Sequence, residues 1–555
     1  MKHTNWYKDA VIYQIYPRSF CDGNGDGLGD IPGIISKLDY LKDLGVNCVW
    51  LSPVYDSPQK DNGYDIANYR DIYKPFGTLE DFKLMLDEMH KRGIRCIMDL
   101  VVNHTSDQHP WFQEALKDKN SPYRDYYFFR KGKRNGKKPP NNWSGFFAGS
   151  TWEKVPGSED EYYLHLFTKE QPDLNWENPK VREEVIDILR YWLDMGVDGF
   201  RCDVITLISK KQDFKSRFPS LVLCGKDAFV NGPRLHEYLH LLYEKAYKDY
   251  DCMTVGETVM CDVKNTIALV DPAREELDMI FNFAHTDSDN YLGVKYLYRK
   301  PRLSILRSRL SKYQFALEGK GWNSLFIENH DQRRCVGRFG TDDKKYRVES
   351  AKMLGTMYFF LKGTPFIYQG QEIGMTNIGS TDINDYQDVE LHNMYNWCQQ
   401  NSFIKALIGK HMFDTSRDNA RPPMQWNNGE FAGFSEVKPW FNVNKNKDEI
   451  NVETALKDEN SIYYYYKKLI EIRKNYPVVK EGKYTLHDKF NKWVYVYSRE
   501  TNDSSLMVIC NFKNKEVKNP RYKKLDGYEL ILSNYQDSKE ETLRPYEARV
   551  YAKGK

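Results

Sequence analysis

The chain contains the segments DLVVNH (99–104), GFRCDV (199–204), VGET (255–258) and FIENHD (326–331). In each of them an acidic residue or a histidine directly follows an apolar, strand-like run. Side chains just past the ends of parallel barrel strands converge on one face, even when they lie far apart in sequence. The four segments therefore predict a single pocket rich in carboxylates.

Short apolar runs alternate along the chain with amphipathic helical patterns, which is typical of parallel strands joined by right-handed crossovers. In one such helix Pro179 follows Asn178, and Gly196 closes it. The pattern predicts an α/β fold, a (β/α)8 TIM barrel. The eight candidate strands are 11–16, 48–51, 95–102, 199–203, 253–255, 279–281, 324–327 and 365–368.

Two stretches interrupt the alternation. Residues 105–172 are rich in Asn, Pro, Gly, Lys and aromatics, and so long a connection favours a small inserted domain after the third strand. Residues 481–555 carry short alternating strands, which favours a C-terminal antiparallel β domain. Residues 1–104 and 173–480 then form the two parts of the catalytic barrel.

Composition excludes several classes of partner. The 81 basic and 78 acidic residues leave a net charge of +3, which provides no strong field for nucleic acid or an anionic membrane. We find no secretion signal and no membrane-spanning run. None of the ten cysteines forms a C-x-x-C pair. We therefore expect a cytoplasmic monomer that binds a small substrate and neither nucleic acid nor membrane.

Among the carboxylates of the four segments, we expect Asp203, Glu257 and Asp331 to form one catalytic group. Clustered carboxylates without a metal suit glycoside cleavage, in which one acid protonates the leaving oxygen and another attacks the sugar. Arg201 points to the same strand face as Asp203, so we expect it to keep the Asp203 carboxylate ionised at neutral pH, which favours Asp203 as the nucleophile. The alternative is that these acids only cap neighbouring helices.

The chain also resembles glycoside hydrolase family 13, the α-amylase family, through VIYQIYPRSF, DLVVNH, GFRCDV, VGET, ENHD and GTPFIYQGQEIGM in that order. The resemblance implies that Asp203 is the nucleophile, Glu257 the general acid/base, and Asp331 the residue that orients substrate hydroxyls. It implies a retaining mechanism through a covalent intermediate. His104, Arg201 and His330 would line the subsite for the sugar being cleaved.

Further segments are similar to the oligo-1,6-glucosidase and α-glucosidase branch of that family. DNGYDI contains Asp61 and Tyr64, and SRDNARPPMQW contains Arg417. In the branch such residues hold the terminal glucose and close the pocket, which implies exo-action. Gln171 and Phe167 also match, the Phe flanking the bound ring. A non-catalytic transporter subunit is the rival from another class, but this chain keeps all the acids of the triad.

The segment DGNGDGLGD (22–30) places oxygen side chains at Asp22, Asn24, Asp26 and Asp30. The spacing is that of a calcium loop, although Gly33 stands where an EF-hand needs Glu. The loop resembles the single structural Ca²⁺ site of the branch, with the Leu28 carbonyl as a further ligand. Magnesium could bind instead, and a metal-free turn is the alternative.

The residue after the nucleophile, Val204, is the one that branch members acting on α-1,6 linkages usually carry. Trehalose-6-phosphate hydrolases share it. Arg333 departs from the branch pattern, where Pro is common, and is either a solvated loop arginine or a contact for a polar aglycone. We expect an exo-acting α-glucosidase that releases glucose from short α-1,6-linked oligosaccharides. A trehalose-6-phosphate hydrolase, or a sucrose- or maltose-cleaving relative, is the alternative.

Overall fold

A computed structural model describes residues 4–147, 149–220, 223–291, 294–409 and 411–554. The chain forms two compact units. The first unit comprises Met1–Asn5, Trp50–Asp87 and Arg95–Asn282, and the second comprises Trp6–Val49, Glu88–Ile94 and Phe283–Lys555.

The predicted barrel is confirmed. An eight-stranded sheet has the strand order six, five, four, three, two, one, eight, seven, and the pairings of three with four, four with five and five with six are parallel. Most of these strands are buried along their whole length, as parallel strands covered on both faces should be. In chain order the strands are Ile12–Ile15, Cys48–Leu51, Arg95–Leu100, Gly199–Cys202, Met253–Thr258, Met279–Asn282, Ser324–Leu325 and Thr364–Tyr368.

The helices begin and end largely at the predicted signals. Asn178 caps Pro179–Asp194 by accepting a hydrogen bond from the Lys180 N–H, and Gly196 adopts φ 108°. The apolar spacing of Ile34, Ile35, Leu38 and Leu41 before Gly45 predicts one helix. The structure has two, because Lys37 leaves the helical region at ψ 5°. The α-helices of six or more residues are Ile31–Ser36, Leu38–Leu44, Leu79–Lys91, Pro110–Lys117, Pro179–Asp194, Leu235–Leu242, Val263–Val270, Leu303–Ala316, Arg347–Phe359, Val389–Gln400, Ser402–Ile408, Val452–Lys457 and Ile462–Asn475.

Within residues 105–172 the first unit contains a three-stranded antiparallel sheet. Its strands are Phe129–Lys131, Trp152–Lys154 and Glu161–Leu164, with the last in the centre. Aromatic and aliphatic side chains of this region form a buried cluster that also includes Val204, the residue after the predicted nucleophile. The inserted segment therefore packs against the fourth barrel strand's exit loop.

Within residues 481–555 the second unit contains a five-stranded antiparallel sheet. Four of its strands, Val494–Glu500, Ser505–Asn511, Glu529–Ser533 and Ala548–Lys553, lie over the alternating patterns at 493–497, 506–510, 528–531 and 548–551 that predict strands here. The edge strand Lys483–His487 was not predicted, because its sequence KYTLH has too few apolar residues to show alternation.

All ten cysteines are free thiols, and every one except Cys261 is buried. Burial raises the pKa of the Cys202 thiol to about 12 and that of Cys261 to about 11. Among the described residues, no helix is long and apolar enough to cross a membrane.

Candidate active site

Strand register brings the acids of the first unit together. Arg201 of the fourth strand pairs with Asp99 of the third and with Val255 of the fifth. Side chains alternate along a strand, so Arg201, Asp203 and Asp99 point to one face, and Glu257, two residues beyond Val255, does so too. The clustering of Asp203 and Glu257 thus follows from strand pairing.

One guanidinium serves three carboxylates at this face. The Arg201 Nη1 lies 2.5 Å from Asp99 Oδ1 and 2.6 Å from Asp203 Oδ1, and its Nη2 lies 2.6 Å from Glu257 Oε2. The arginine side chain is only 2% exposed. Asp99 also accepts a hydrogen bond from the Trp50 indole at 2.8 Å. Because three negative groups surround one cation, the cluster carries excess negative charge when all three acids are ionised.

Arg201 offsets only part of the effect of burial on the pKa of Asp203, the predicted nucleophile. Burial raises the pKa of Asp203 to about 7, and Arg201 lowers it only in part, while Asp99 raises it further. A hydrogen bond from Glu257 to Asp203 also favours the ionised form. Arg201 therefore favours the ionised form of Asp203, as predicted, but burial and the neighbouring Asp99 oppose it.

We expect kcat/KM to fall as the pH is lowered through about 7, because a protonated Asp203 cannot attack the sugar. If Asp203 had the ordinary carboxylate pKa of about 3.9, kcat/KM would not fall as the pH is lowered through this range. The measurement is kcat/KM for p-nitrophenyl α-glucoside between about pH 5 and about pH 9, which reports the free enzyme. Enzyme incubated at low pH is assayed again at the optimum pH, to exclude unfolding as the cause of the fall. A kcat/KM that stays unchanged down to about pH 5 would contradict the raised pKa of Asp203.

Val204 has an unusual backbone conformation. Its φ of 35° and ψ of 39° lie in the left-handed region, where a β-branched residue is a genuine outlier. The conformation directs the Val204 N–H to Glu257 Oε2 at 3.1 Å. The side chain is 6% exposed and packs in the aromatic cluster of the inserted segment. Backbone strain of this kind is characteristic of active sites.

A second group of predicted residues meets beside these acids. His104 Nε2 lies 2.9 Å from the Tyr64 carbonyl oxygen. The Gln171 amide donates to the same carbonyl at 3.1 Å and to Asp61 Oδ2 at 3.2 Å. The Phe167 ring lies 5.2 Å from the His104 ring, centroid to centroid. The first unit therefore groups all five predicted sugar-binding residues of this set.

The second unit contains its own charged cluster around Asp331. The Asp331 carboxylate lies 2.9 Å from Arg421 Nη2, 3.4 Å from Arg417 Nη1 and 3.1 Å from His330 Nε2. Partial burial alone would raise the pKa of Asp331, but His330, Arg417 and Arg421 hold it well below its usual value. Asp331 is therefore an anion at neutral pH. Arg417 also pairs with Asp388 at 3.0 Å.

The predicted calcium loop, also in the second unit, is folded around its own acids. Asp22 Oδ1 accepts from the Gly25 N–H at 2.7 Å, and Asp26 Oδ1 accepts from the Leu28 N–H at 2.8 Å. Asp30 is buried and caps Ile31–Ser36. Burial raises the pKa of Asp30, backbone N–H groups lower it, and Asp22 raises it again. A cation held by these oxygens would offset that cost, so the donor set fits a hard divalent ion.

Sequence reasoning missed several partners of the site residues. Asp99 pairs with Arg201 and Arg421 pairs with Asp331, while Trp50 donates to Asp99. These contacts join segments that are distant in sequence. Arg333 differs from the expected solvated loop arginine. Its side chain is 7% exposed, and its Nη2 donates to Asp289 at 2.6 Å in a buried ion pair. A phosphate ligand would have to compete with that carboxylate.

Comparison with known proteins accounts for this arrangement. The model of the α-amylase catalytic domain matches residues 14–482. The chain belongs to the α-amylase family of glycoside hydrolases. An oligo-1,6-glucosidase of Parageobacillus thermoglucosidasius is 52% identical, with 98% of each chain covered. A trehalose-6-phosphate hydrolase of Bacillus subtilis is 46% identical, covering 99% of this chain and 98% of its own.

Solved structures agree with the family. The crystal structure of Bacillus licheniformis trehalose-6-phosphate hydrolase is 45% identical and has a TM-score of 0.93, covering 99% of this chain and all of its own. Membership of the α-amylase family confirms the glycoside hydrolase predicted from the four strand-end segments.

Proposed function

We propose that the protein is an exo-acting, retaining α-glucosidase that releases glucose from the non-reducing ends of short α-1,6-linked oligosaccharides. The contact of Asp203 and Glu257 with one guanidinium, and with each other, carries the proposal. Retaining enzymes need their two carboxyl groups about 5 Å apart, whereas inverting enzymes leave about 6.5 to 9.5 Å for a water. The close pair supports the retaining route.

In this mechanism Asp203 attacks the anomeric carbon while Glu257 gives its proton to the departing glycosidic oxygen. Glu257 then takes a proton from water, which attacks the same carbon and releases Asp203. Glu257 Oε2 accepts hydrogen bonds from Arg201 Nη2 and from the Val204 N–H. These donors fix the orientation of the carboxyl group, and burial of Arg201 strengthens their effect.

Binding of the terminal glucose is assigned to Asp61, Tyr64, His104 and Gln171, with Phe167 flanking the ring. Their hydrogen bonds to one another support this assignment, because they hold polar groups in one place before substrate arrives. His330, Asp331 and Arg417 are assigned from the family motifs ENHD and SRDNARPPMQW. The ionised state of Asp331 suits a residue that accepts hydrogen bonds from sugar hydroxyls.

The preference for α-1,6 linkages is the most specific part of the proposed function. It is supported by Val204 beside the nucleophile and by the printed name of the Parageobacillus relative. Trehalose-6-phosphate hydrolase is the second candidate, favoured by the Bacillus relatives. The buried pair of Arg333 with Asp289 speaks against a phosphate contact at that residue.

We expect isomaltose to give a kcat/KM at least about tenfold above that of maltose, within the 10- to 200-fold range that small changes in a pocket produce. The assay compares glucose release from isomaltose, maltose, sucrose, trehalose and trehalose 6-phosphate. Proton NMR early in the reaction should show α-glucose first, because double displacement retains configuration.

Asp203→Asn serves as the control for contaminating glucosidases in that assay. A highest kcat/KM for trehalose 6-phosphate would replace the proposed substrate with the second candidate. Initial β-glucose would refute the retaining mechanism itself.

A structural Ca²⁺ at the loop 22–30 belongs to the same proposal, with Mg²⁺ as the other hard ion. The ligands would be Asp22, Asn24, Asp26, Asp30 and the Leu28 carbonyl. In the described part of the chain, no lysine or arginine forms an ion pair with Asp22, Asp26 or Asp30. Uncompensated acids on one loop suit a divalent cation, which would act on stability rather than on the reaction.

We expect EDTA to lower the melting temperature of the enzyme while leaving kcat at moderate temperature nearly unchanged, because ligand binding to the native state alone stabilises it. Added Ca²⁺ should restore the original value. In Asp26→Ala the melting temperature should be lower from the start and insensitive to EDTA. Immediate loss of activity in EDTA without loss of stability would contradict a structural role.

The proposal also places the enzyme in the cytoplasm. Its ten free cysteines, nine of them buried, support a reducing compartment, where disulfides are rare.

A further inference from the structure

A fully buried lysine lies on the loop that follows the nucleophile. The Lys210 side chain is 0% exposed, and its Nζ lies 2.9 Å from Asp173 Oδ2. Nζ also lies 3.0 Å from Asn103 Oδ1 and 2.9 Å from the Leu207 carbonyl oxygen. An ammonium group has three protons and no acceptor, so each of its protons has an oxygen partner here.

This ammonium determines the orientation of the Asn103 amide. The oxygen of the amide must face Lys210, because an ammonium can only donate. The amide nitrogen then faces away, 3.2 Å from His104 Nδ1 and 3.3 Å from Asp173 Oδ2. A flipped amide would place two donors against Lys210, so the flip is excluded.

The orientation of the Asn103 amide in turn determines which ring nitrogen of His104 carries the proton. His104 Nδ1 accepts from the Asn103 amide, which puts the ring proton on Nε2, the donor to the Tyr64 carbonyl at 2.9 Å. Gln171 Nε2 lies 3.1 Å from His104 Nε2, but its two protons are directed to the Tyr64 carbonyl and to Asp61, a carboxylate that only accepts. Burial lowers the pKa of His104, in keeping with a neutral ring. The hydrogen bonds therefore have one direction from Lys210 to the Tyr64 carbonyl, which accepts from His104 on one side and from Gln171 on the other.

We propose that Lys210 is a positioning residue whose ammonium sets, through Asn103, the tautomer and orientation of His104 in the sugar subsite. This inference rests on the proposed function and deepens it. Lys210 contacts no reacting group, and its role is to leave the sugar-binding side chains a single hydrogen-bond pattern. Asp173 holds the ammonium in place, and the Leu166 N–H at 3.0 Å holds Asp173.

The direct test is the tautomer of His104 in the wild-type enzyme. Long-range proton–nitrogen NMR of protein with ¹⁵N-labelled histidine separates the two ring nitrogens, and His104→Gln assigns one signal among the 12 histidines. We expect Nδ1 unprotonated and Nε2 protonated at neutral pH. A wild-type signal with the proton on Nδ1 would overturn the proposal without any further variant.

Asn103→Asp keeps an oxygen for Lys210 but removes the donor to His104 Nδ1. We expect the His104 signal to change to a protonated Nδ1, and kcat/KM for p-nitrophenyl α-glucoside to fall about tenfold for one lost hydrogen bond. An unchanged His104 signal in this variant at wild-type melting temperature would overturn the proposal.

Lys210→Met keeps the length of the side chain and removes the charge, and it should change the same His104 signal. Lys211→Met is the matched control, because that neighbour is exposed and pairs with Asp227 at 3.4 Å. It should alter neither the signal nor kcat/KM. The NMR result does not depend on the natural substrate. If isomaltose were not the preferred substrate, the proposed α-1,6 linkage preference would be wrong, but the inference about Lys210 would still hold.

Discussion

Asp203→Asn should lower kcat by at least about 10³-fold, in line with the removal of other covalent nucleophiles. An amide cannot form the ester to the sugar, but its oxygen can still accept from Arg201 Nη1, which lies 2.6 Å from the native carboxylate. The fold should therefore persist. The measurement is kcat for p-nitrophenyl α-glucoside together with the melting temperature.

Asp198→Asn is the matched control, because Asp198 lies just before the fourth strand, at the end opposite the nucleophile. It pairs there with Arg95 at 3.1 Å. This variant should keep wild-type kcat. More than about a tenth of wild-type activity in Asp203→Asn would remove Asp203 from the role of nucleophile.

Arg201→Met should destabilise the protein by about 3–5 kcal/mol, the cost of removing one partner from a buried ionic network. Asp99, Asp203 and Glu257 would then face one another without a cation, and Arg201 is only 2% exposed, so water cannot replace it cheaply. The acids would also hold protons to higher pH. We therefore expect a lower melting temperature and a severe loss of kcat at neutral pH.

Arg92→Met provides the comparison for that variant. Arg92 also contacts two acids, Asp39 at 2.7 Å and Glu88 at 2.5 Å, but on the surface. Exposed pairs contribute little, so this change should leave the melting temperature nearly as it was. Equal melting temperatures for Arg201→Met and Arg92→Met would show that the buried network does not stabilise the fold.

Sequence patterns predicted the barrel because its strands are short buried runs bounded by Gly, Pro and Asn. The signal for Pro179–Asp194 was complete, with a cap, a first-turn proline and a closing glycine. Sequence-based prediction failed for segments that lack clear apolar patterning or helix-breaking residues. The edge strand Lys483–His487 is mostly polar, and Lys37 interrupts a helix that its apolar spacing did not divide.

The sequence also predicted that Asp203 and Glu257 meet, since both lie at the carboxyl ends of barrel strands, but it did not predict Asp99 as their partner. The pKa of Asp203 could not be predicted, because it depends on burial and on the carboxylates that share Arg201. That set of carboxylates is fixed by the register of three strands, and no motif records it. The left-handed conformation of Val204 was equally hidden, because sequence offers glycine as the only reliable sign of such a backbone.

That conformation limits how far this enzyme can be made more heat-resistant without loss of turnover. A glycine at Val204 would relieve backbone strain of about 1–2 kcal/mol, which makes it an obvious choice for engineering. The same change would empty a space lined by Leu207 and the aromatic side chains of the inserted segment. It would also free the peptide whose N–H restrains Glu257, the proposed proton donor. Rigidity and catalytic alignment are thus set by one peptide group, and a gain in either is made at the expense of the other.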